Sequence, residues 1–179
     1  MKLIESKTLA TAAASIDFTS IPQDATDLAV LISARTNNGD VDDGVRLAFN
    51  GTTGNWSFRF LYGSGSSVSS GTAAFSLGST RGWGGYATGA TSTSNTFGNT
   101  LIYIPNYTAS VAKSVSVDGV SENNATQVGL ALVANLWNQT AAITSVELSP
   151  AVGSTFSIGS TASLYKITKG SDGIVTTSP

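Results

Sequence analysis

The densest group of possible metal ligands is Asn37-Asn38-Gly39-Asp40-Val41-Asp42-Asp43-Gly44, three carboxylates and two amides in eight residues. Hard cations such as calcium take clustered oxygen ligands of this kind from a loop. A D-x-D-x-D-G loop read through Asn38, Asp40 and Asp42 needs glycine at position 43, but the chain has Asp43 there and Gly44 one place late. Asp40, Asp42 and Asp43 are therefore weak candidates for a cation site, and a solvated connection between strands is the expected reading. Glycoside hydrolysis needs two carboxyl groups held about 5 to 10 Å apart across a cleft. Asp118, Glu122 and Glu147 are the acids of the second half before the tail, and nothing in their spacing joins two of them. Gly63-Ser64-Gly65 lacks the third glycine and the lysine of a phosphate-cradling loop. Aromatic rings can stack on sugars. Trp56 and Trp137 sit in alternating runs and read as packing, whereas Trp83 and Tyr86 lie among glycines and are candidates for binding a glycan or a neighbouring subunit.

The chain contains no histidine and no cysteine. That removes Ser-His-Asp and Cys-His nucleophiles, thiolate and imidazole zinc sites, and disulfides. No catalytic residue is assigned, no cofactor is implied, and the expected class is a module that works by contact. Charged residues are 11% of the chain and the net charge is -2, while Ser and Thr number 49 of 179. The nine Lys and Arg are scattered and cannot neutralise a row of phosphates, so no nucleic-acid partner is expected. Apolar runs fall short of the 18 residues a membrane span needs, and Glu5, Lys7 and Asp17 break up the start, so neither a span nor a signal peptide is read there. The expected site of synthesis is a cytoplasm.

Something must position such a surface, and the periodicity says strands. Apolar residues alternate in short runs fenced by Gly, Ser, Asn and Asp, which predicts about ten to twelve strands at the spacing of a sandwich or barrel. Leu28, Val30, Ile32 and Ala34 alternate with Ala29, Leu31 and Ser33; both sets are apolar enough to predict a central strand covered on both faces. Val45 to Phe49 followed by Asn50-Gly51 and then Trp56, Phe58, Phe60 and Tyr62 reads as a hairpin with an aromatic face. The Gly/Ser tract from Gly63 to Gly71 reads as a long flexible loop within one domain, residues 1–168, followed by a polar tail over 169–179. From Tyr62 to Ala112 the only charged residue is Arg81, so this region is expected to pack against another chain without desolvating ions. Trp83, Tyr86, Phe97 and, in the tail, Ile174 and Val175 are the residues expected at subunit contacts, together with the N-terminal strand.

Several stretches resemble small structural proteins of tailed bacteriophages. They are Val45-Arg46-Leu47-Ala48-Phe49-Asn50-Gly51 with Asn55-Trp56-Ser57-Phe58, then Asn95-Thr96-Phe97-Gly98 and Ile102-Tyr103-Ile104-Pro105-Asn106-Tyr107. Leu136-Trp137, Ala142 to Val146, Phe156 to Ser160 and Ser163 to Ile167 extend the similarity over roughly residues 3 to 167. The resemblance implies an all-β, single-domain antiparallel β-sandwich of jelly-roll-like form in the virion, assembled in the host bacterial cytoplasm. Its implied partners are the major capsid protein or other virion proteins and further copies of itself, a trimer among the arrangements. A capsid decoration protein is favoured, since the sequence has no fibrous repeat and no heptads; a tail or head fibre module binding a host glycan is the alternative, with a tail adaptor also open.

Overall fold

The computed structural model describes residues 1–72, 80–123 and 129–168. Within them the alternation becomes twelve strands and no helix. They are β1 (Lys2–Thr8), β2 (Ile16–Phe18), β3 (Asp27–Ala34), β4 (Asp42–Phe49), β5 (Trp56–Ser64), β6 (Ser67–Gly71), β7 (Gly82–Thr88), β8 (Gly98–Ile104), β9 (Lys113–Ser121), β10 (Gly129–Trp137), β11 (Val146–Pro150) and β12 (Thr161–Ile167). Eight form one sheet in the order β1-β12-β3-β8-β9-β10-β5-β6, and four form a second in the order β2-β11-β4-β7. Every strand pair is antiparallel. The pairings β3 with β8, β4 with β7 and β5 with β6 are nested, so a ribbon made of β3–β5 laid against β6–β8 passes from the large sheet to the small one and back. That wrapping is the jelly-roll-like feature of the sandwich.

Strict alternation explains why the sheets face each other. In β9 every second residue from Lys113 to Ser121 is buried, and in β10 every second residue from Gly129 to Trp137. The inward sets join Phe18, Leu47, Phe49, Val146 and Leu148 of the small sheet in one core. Phe49, Trp56 and Trp137 form its aromatic end, with ring centroids 5.0 to 6.3 Å apart. Lys113, a fully buried cation on an inward position, caps the carbonyls of Ala109 and Val111 with its ammonium. Burial lowers its pKa.

Two loops differ from what the sequence predicts. Asn50 and Gly51 do make a tight turn with positive φ, closed by Thr52 N–H donating to the Phe49 carbonyl, but no hairpin follows. β4 lies in the small sheet and β5 in the large one, because the inward aromatics of β5 are needed on the opposite side of the core. The Asn50 side chain instead holds a distant loop, accepting from the N–H groups of Thr144 and Ser145 and donating to the Ala142 carbonyl. Asn50→Ala should lose these bonds and the tolerance for left-handed backbone. A cost of about 2 kcal/mol is expected in urea unfolding, with activity-independent loosening of residues 142–145 visible by hydrogen exchange. The Gly/Ser tract is not a loop but a hairpin: Gly63 faces Val68, Ser64 faces Ser67, and Gly65 supplies the positive φ of the turn. Serine hydroxyls on an exposed edge strand satisfy the pattern that reads as flexible linker.

Candidate interaction surface

The uncharged segment around Trp83 is core, not surface. Trp83 and Tyr86 are 0% and 2% exposed, so neither ring offers a face to a sugar or to a neighbouring subunit. Every residue of β7 is buried, because this edge strand of the small sheet lies directly on β8, β9 and β10. Glycines make the approach possible. A Cβ at Gly119 would come within 3.1 Å of the Gly85 backbone, and one at Gly98 within 2.7 Å of the Tyr86 carbonyl. The free edge of β7 is satisfied across the sandwich by Asn135 of β10, whose amide accepts from Trp83 N–H and donates to the Trp83 carbonyl at 2.9 and 3.0 Å. The indole of Trp83 donates to the Gly85 carbonyl at 2.9 Å. Burial first, then the Tyr62 hydroxyl and the Asp42 carboxylate, push the Tyr86 phenol far above its usual range. Absence of charge from Gly82 to Thr88 thus reflects burial within the chain. Phe97 is half-buried beside Gly159, in a loop whose carbonyls at Ala90, Ser92, Thr93 and Thr96 accept from the Arg35 guanidinium. Ile174 and Val175 lie outside the described residues.

The acidic stretch does not converge on one point. No cluster of three or more His, Cys, Asp or Glu that could hold a metal occurs among the described residues. Asp43 is buried and its carboxylate is already engaged by the Thr36 hydroxyl and the N–H groups of Val152 and Gly153. Asp40 is exposed in the preceding loop, and Asp42 opens β4. Asp42 Oδ2 is buried without a hydrogen-bond partner, and burial, then Asp40 and Asp43, raise its pKa above the ordinary 3.8. The folded chain therefore holds this proton more tightly than the unfolded chain does. The associated stability is complete below pH about 3.8 and is lost as pH rises through the folded value. Asp42→Asn is expected to raise the melting temperature at pH 7 and to leave it unchanged near pH 3, as thermal melts across that range will show.

The outer face of the large sheet is the unusual surface. An antiparallel sheet with one solvated face ordinarily reads apolar inward and polar outward. Here the register aligns Leu31, Leu101, Asp118, Leu132 and Leu61 in one row across β3, β8, β9, β10 and β5. Val120, Leu130 and Val68 belong to the next row, and Leu136 lies further along β10. The four leucines of the first row are 42 to 52% exposed. From β8 to β6 the only charged side chains on this face are Asp118 and Arg59, and neither has an ion pair among the described residues. Arg59, Leu61, Ser116, Leu132 and Ala134 line a shallow depression of about 370 Å³ at its centre. Exposed leucines grouped in this way on one sheet face make it the candidate contact surface of the domain.

The signal for this face stands in the sequence. Both alternating sets of β3 are apolar, and the same holds for β10, where Leu130, Leu132 and Leu136 alternate with Ala131, Val133 and Trp137. Sequence reasoning takes the double pattern in β3 for a strand covered on both sides. The second side is covered at Asp27 and Ala29 but open at Leu31, which is 42% exposed.

The acids weighed for hydrolysis are dispersed. Asp118 is on the outer face of the large sheet, Glu147 is outward on the small sheet and paired with Arg81, and Glu122 follows the end of β9. No protein-family model, no curated protein and no solved structure matches the chain.

Proposed function

We propose that the chain is a structural protein of a tailed-phage virion, and within it a capsid decoration protein that stabilises the head by lying across neighbouring subunits of the shell. The apolar outer face of the large sheet carries this reading. It gives the chain a broad surface suited to another folded protein and poor in groups suited to a small polar substrate. The resemblance of the strand and hairpin segments to phage structural proteins supplies the setting. The partners are then the major capsid protein or other virion proteins and further copies of the chain, with assembly in the bacterial cytoplasm and residence in the particle. The role assigns no reaction, cofactor, nucleic acid or membrane to the chain. At about 25 cal/mol per Å² of apolar area, even a modest contact repeated over a shell resists internal pressure.

The fibre reading has less behind it, because Trp83 and Tyr86, the rings offered for a host glycan, are interior. Quantitative mass spectrometry of purified particles tests the choice. Decoration requires many copies per head, located on the shell, and heads that rupture at lower temperature once the protein is stripped. A handful of copies at the tail, or none in the particle, would overturn it.

A further inference from the structure

We propose that the outer face of the large sheet is covered by a second copy of the same chain, packed face to face about a two-fold axis that sets Arg59 of each copy against the partner's Asp118. This rests on reading that face as a subunit contact, and it names the subunit.

The charge pattern carries the argument. Arg59 lies opposite Ala134 and Ser116 in one row, while Asp118 lies opposite Leu132 and Leu61 in the adjacent one, so β10 separates them. Two strand spacings of about 4.8 Å and two residues of about 3.4 Å place them roughly 12 Å apart, on a diagonal, too far to pair within one chain. A two-fold axis lying in the contact plane and crossing the middle of that diagonal exchanges the two positions, so both ion pairs form together, as an isologous contact requires. The same axis passes over β10 beside Leu132. It brings Leu132 onto the partner's Leu61 and Leu61 onto the partner's Leu132, with Leu136 approaching the partner's Tyr103. The strands of the two copies then cross at roughly 70°, toward the orthogonal class of sheet packing. A foreign partner would need an acid and a base at this same offset, flanked by apolar side chains; the chain already presents both.

Two sheets about 20 Å deep along their strands, crossed at about 70° over β10, face each other over on the order of 400 Å², a compact contact beside the roughly 800 Å² per partner of a standard interface, centred on Leu132, Leu61 and the two ion pairs.

Light scattering on the full chain after size-exclusion chromatography tests this. The wild type should elute at the mass of two chains. Arg59→Asp and Asp118→Arg should each place like charges face to face and weaken the dimer at least about tenfold, and the double reversal R59D/D118R should restore it. Both side chains are exposed, so circular dichroism and melting should report intact folds; Leu132→Asp, at the centre of the face, is a second variant that should give monomer. A monomeric wild type, or a dimer indifferent to the reversals and to Leu132→Asp, would overturn the proposal. The two readings fail separately. A monomer that still coats heads, and is lost from them in Leu132→Asp, ends the dimer and keeps the decoration role. A dimer obeying the charge swaps but absent from particles does the reverse.

Discussion

Trp83→Ala is expected to cost about 3–5 kcal/mol, because it empties a fully buried indole site that the surrounding sheets cannot close. Phe60 and Tyr86 stack on this ring edge to face, with centroids 5.4 and 5.3 Å away, and Phe58 lies 6.2 Å away. Those contacts disappear together, and the Gly85 carbonyl loses its indole donor. For a chain of this length the loss lowers the melting temperature by roughly 10 °C or more. The measurement is a thermal melt followed by circular dichroism. The result also separates two uses of the residue. A sugar-binding tryptophan on a surface can be removed with the fold unchanged and only adsorption affected. If Trp83→Ala melts with the wild type, the interior placement of β7 is wrong and the glycan reading returns.

The fold was largely legible because strand periodicity is a local signal. The run from Leu28 to Ala34 falls within β3 and ends where it ends, Val45 to Phe49 closes β4, and Trp56 to Tyr62 opens β5. Which sheet each strand joins is not local, and there the reading fails. Asn50-Gly51 makes its turn, yet whether the next strand pairs with the last one depends on where the aromatics of β5 are needed. The misplacement of Trp83 and Tyr86 has a related cause. Aromatics set among glycines suggest exposed rings, since glycine weakens a strand and lacks a side chain to pack against them. In β7 the missing side chains are the point: they let one strand lie against three others.

The exposed apolar face of the large sheet is misread for the opposite reason. Double-sided apolar strands ordinarily mean double-sided burial, so an apolar face open to solvent looks, in sequence, like one covered from within. The distinction lies in Arg59 and Asp118, isolated charges on strands otherwise free of outward ions, which a covering layer of the same chain would leave buried and unpaired. An opposing copy can pair them.

The close approach of β7 sets the sharpest test of the fold. Gly85 has φ of +93°, a conformation that side-chain-bearing residues rarely adopt, and a Cβ there would meet Thr100 Oγ1 at 2.4 Å and Cγ2 at 2.6 Å. Gly85→Ala therefore combines backbone strain with a collision against Thr100 of β8, and both residues are buried. The two together should cost about 3–5 kcal/mol and lower the melting temperature by about 10 °C. Thr100→Ala removes the two nearest obstacles but leaves its own Cβ 3.0 Å away, and it does nothing for φ. Adding it to Gly85→Ala should recover part of the loss, with a coupling of about 1–2 kcal/mol in a double-mutant cycle. Additivity of the two changes would mean that β7 does not rest on β8 at this point, and the glycine-mediated packing of the sandwich would have to be redrawn.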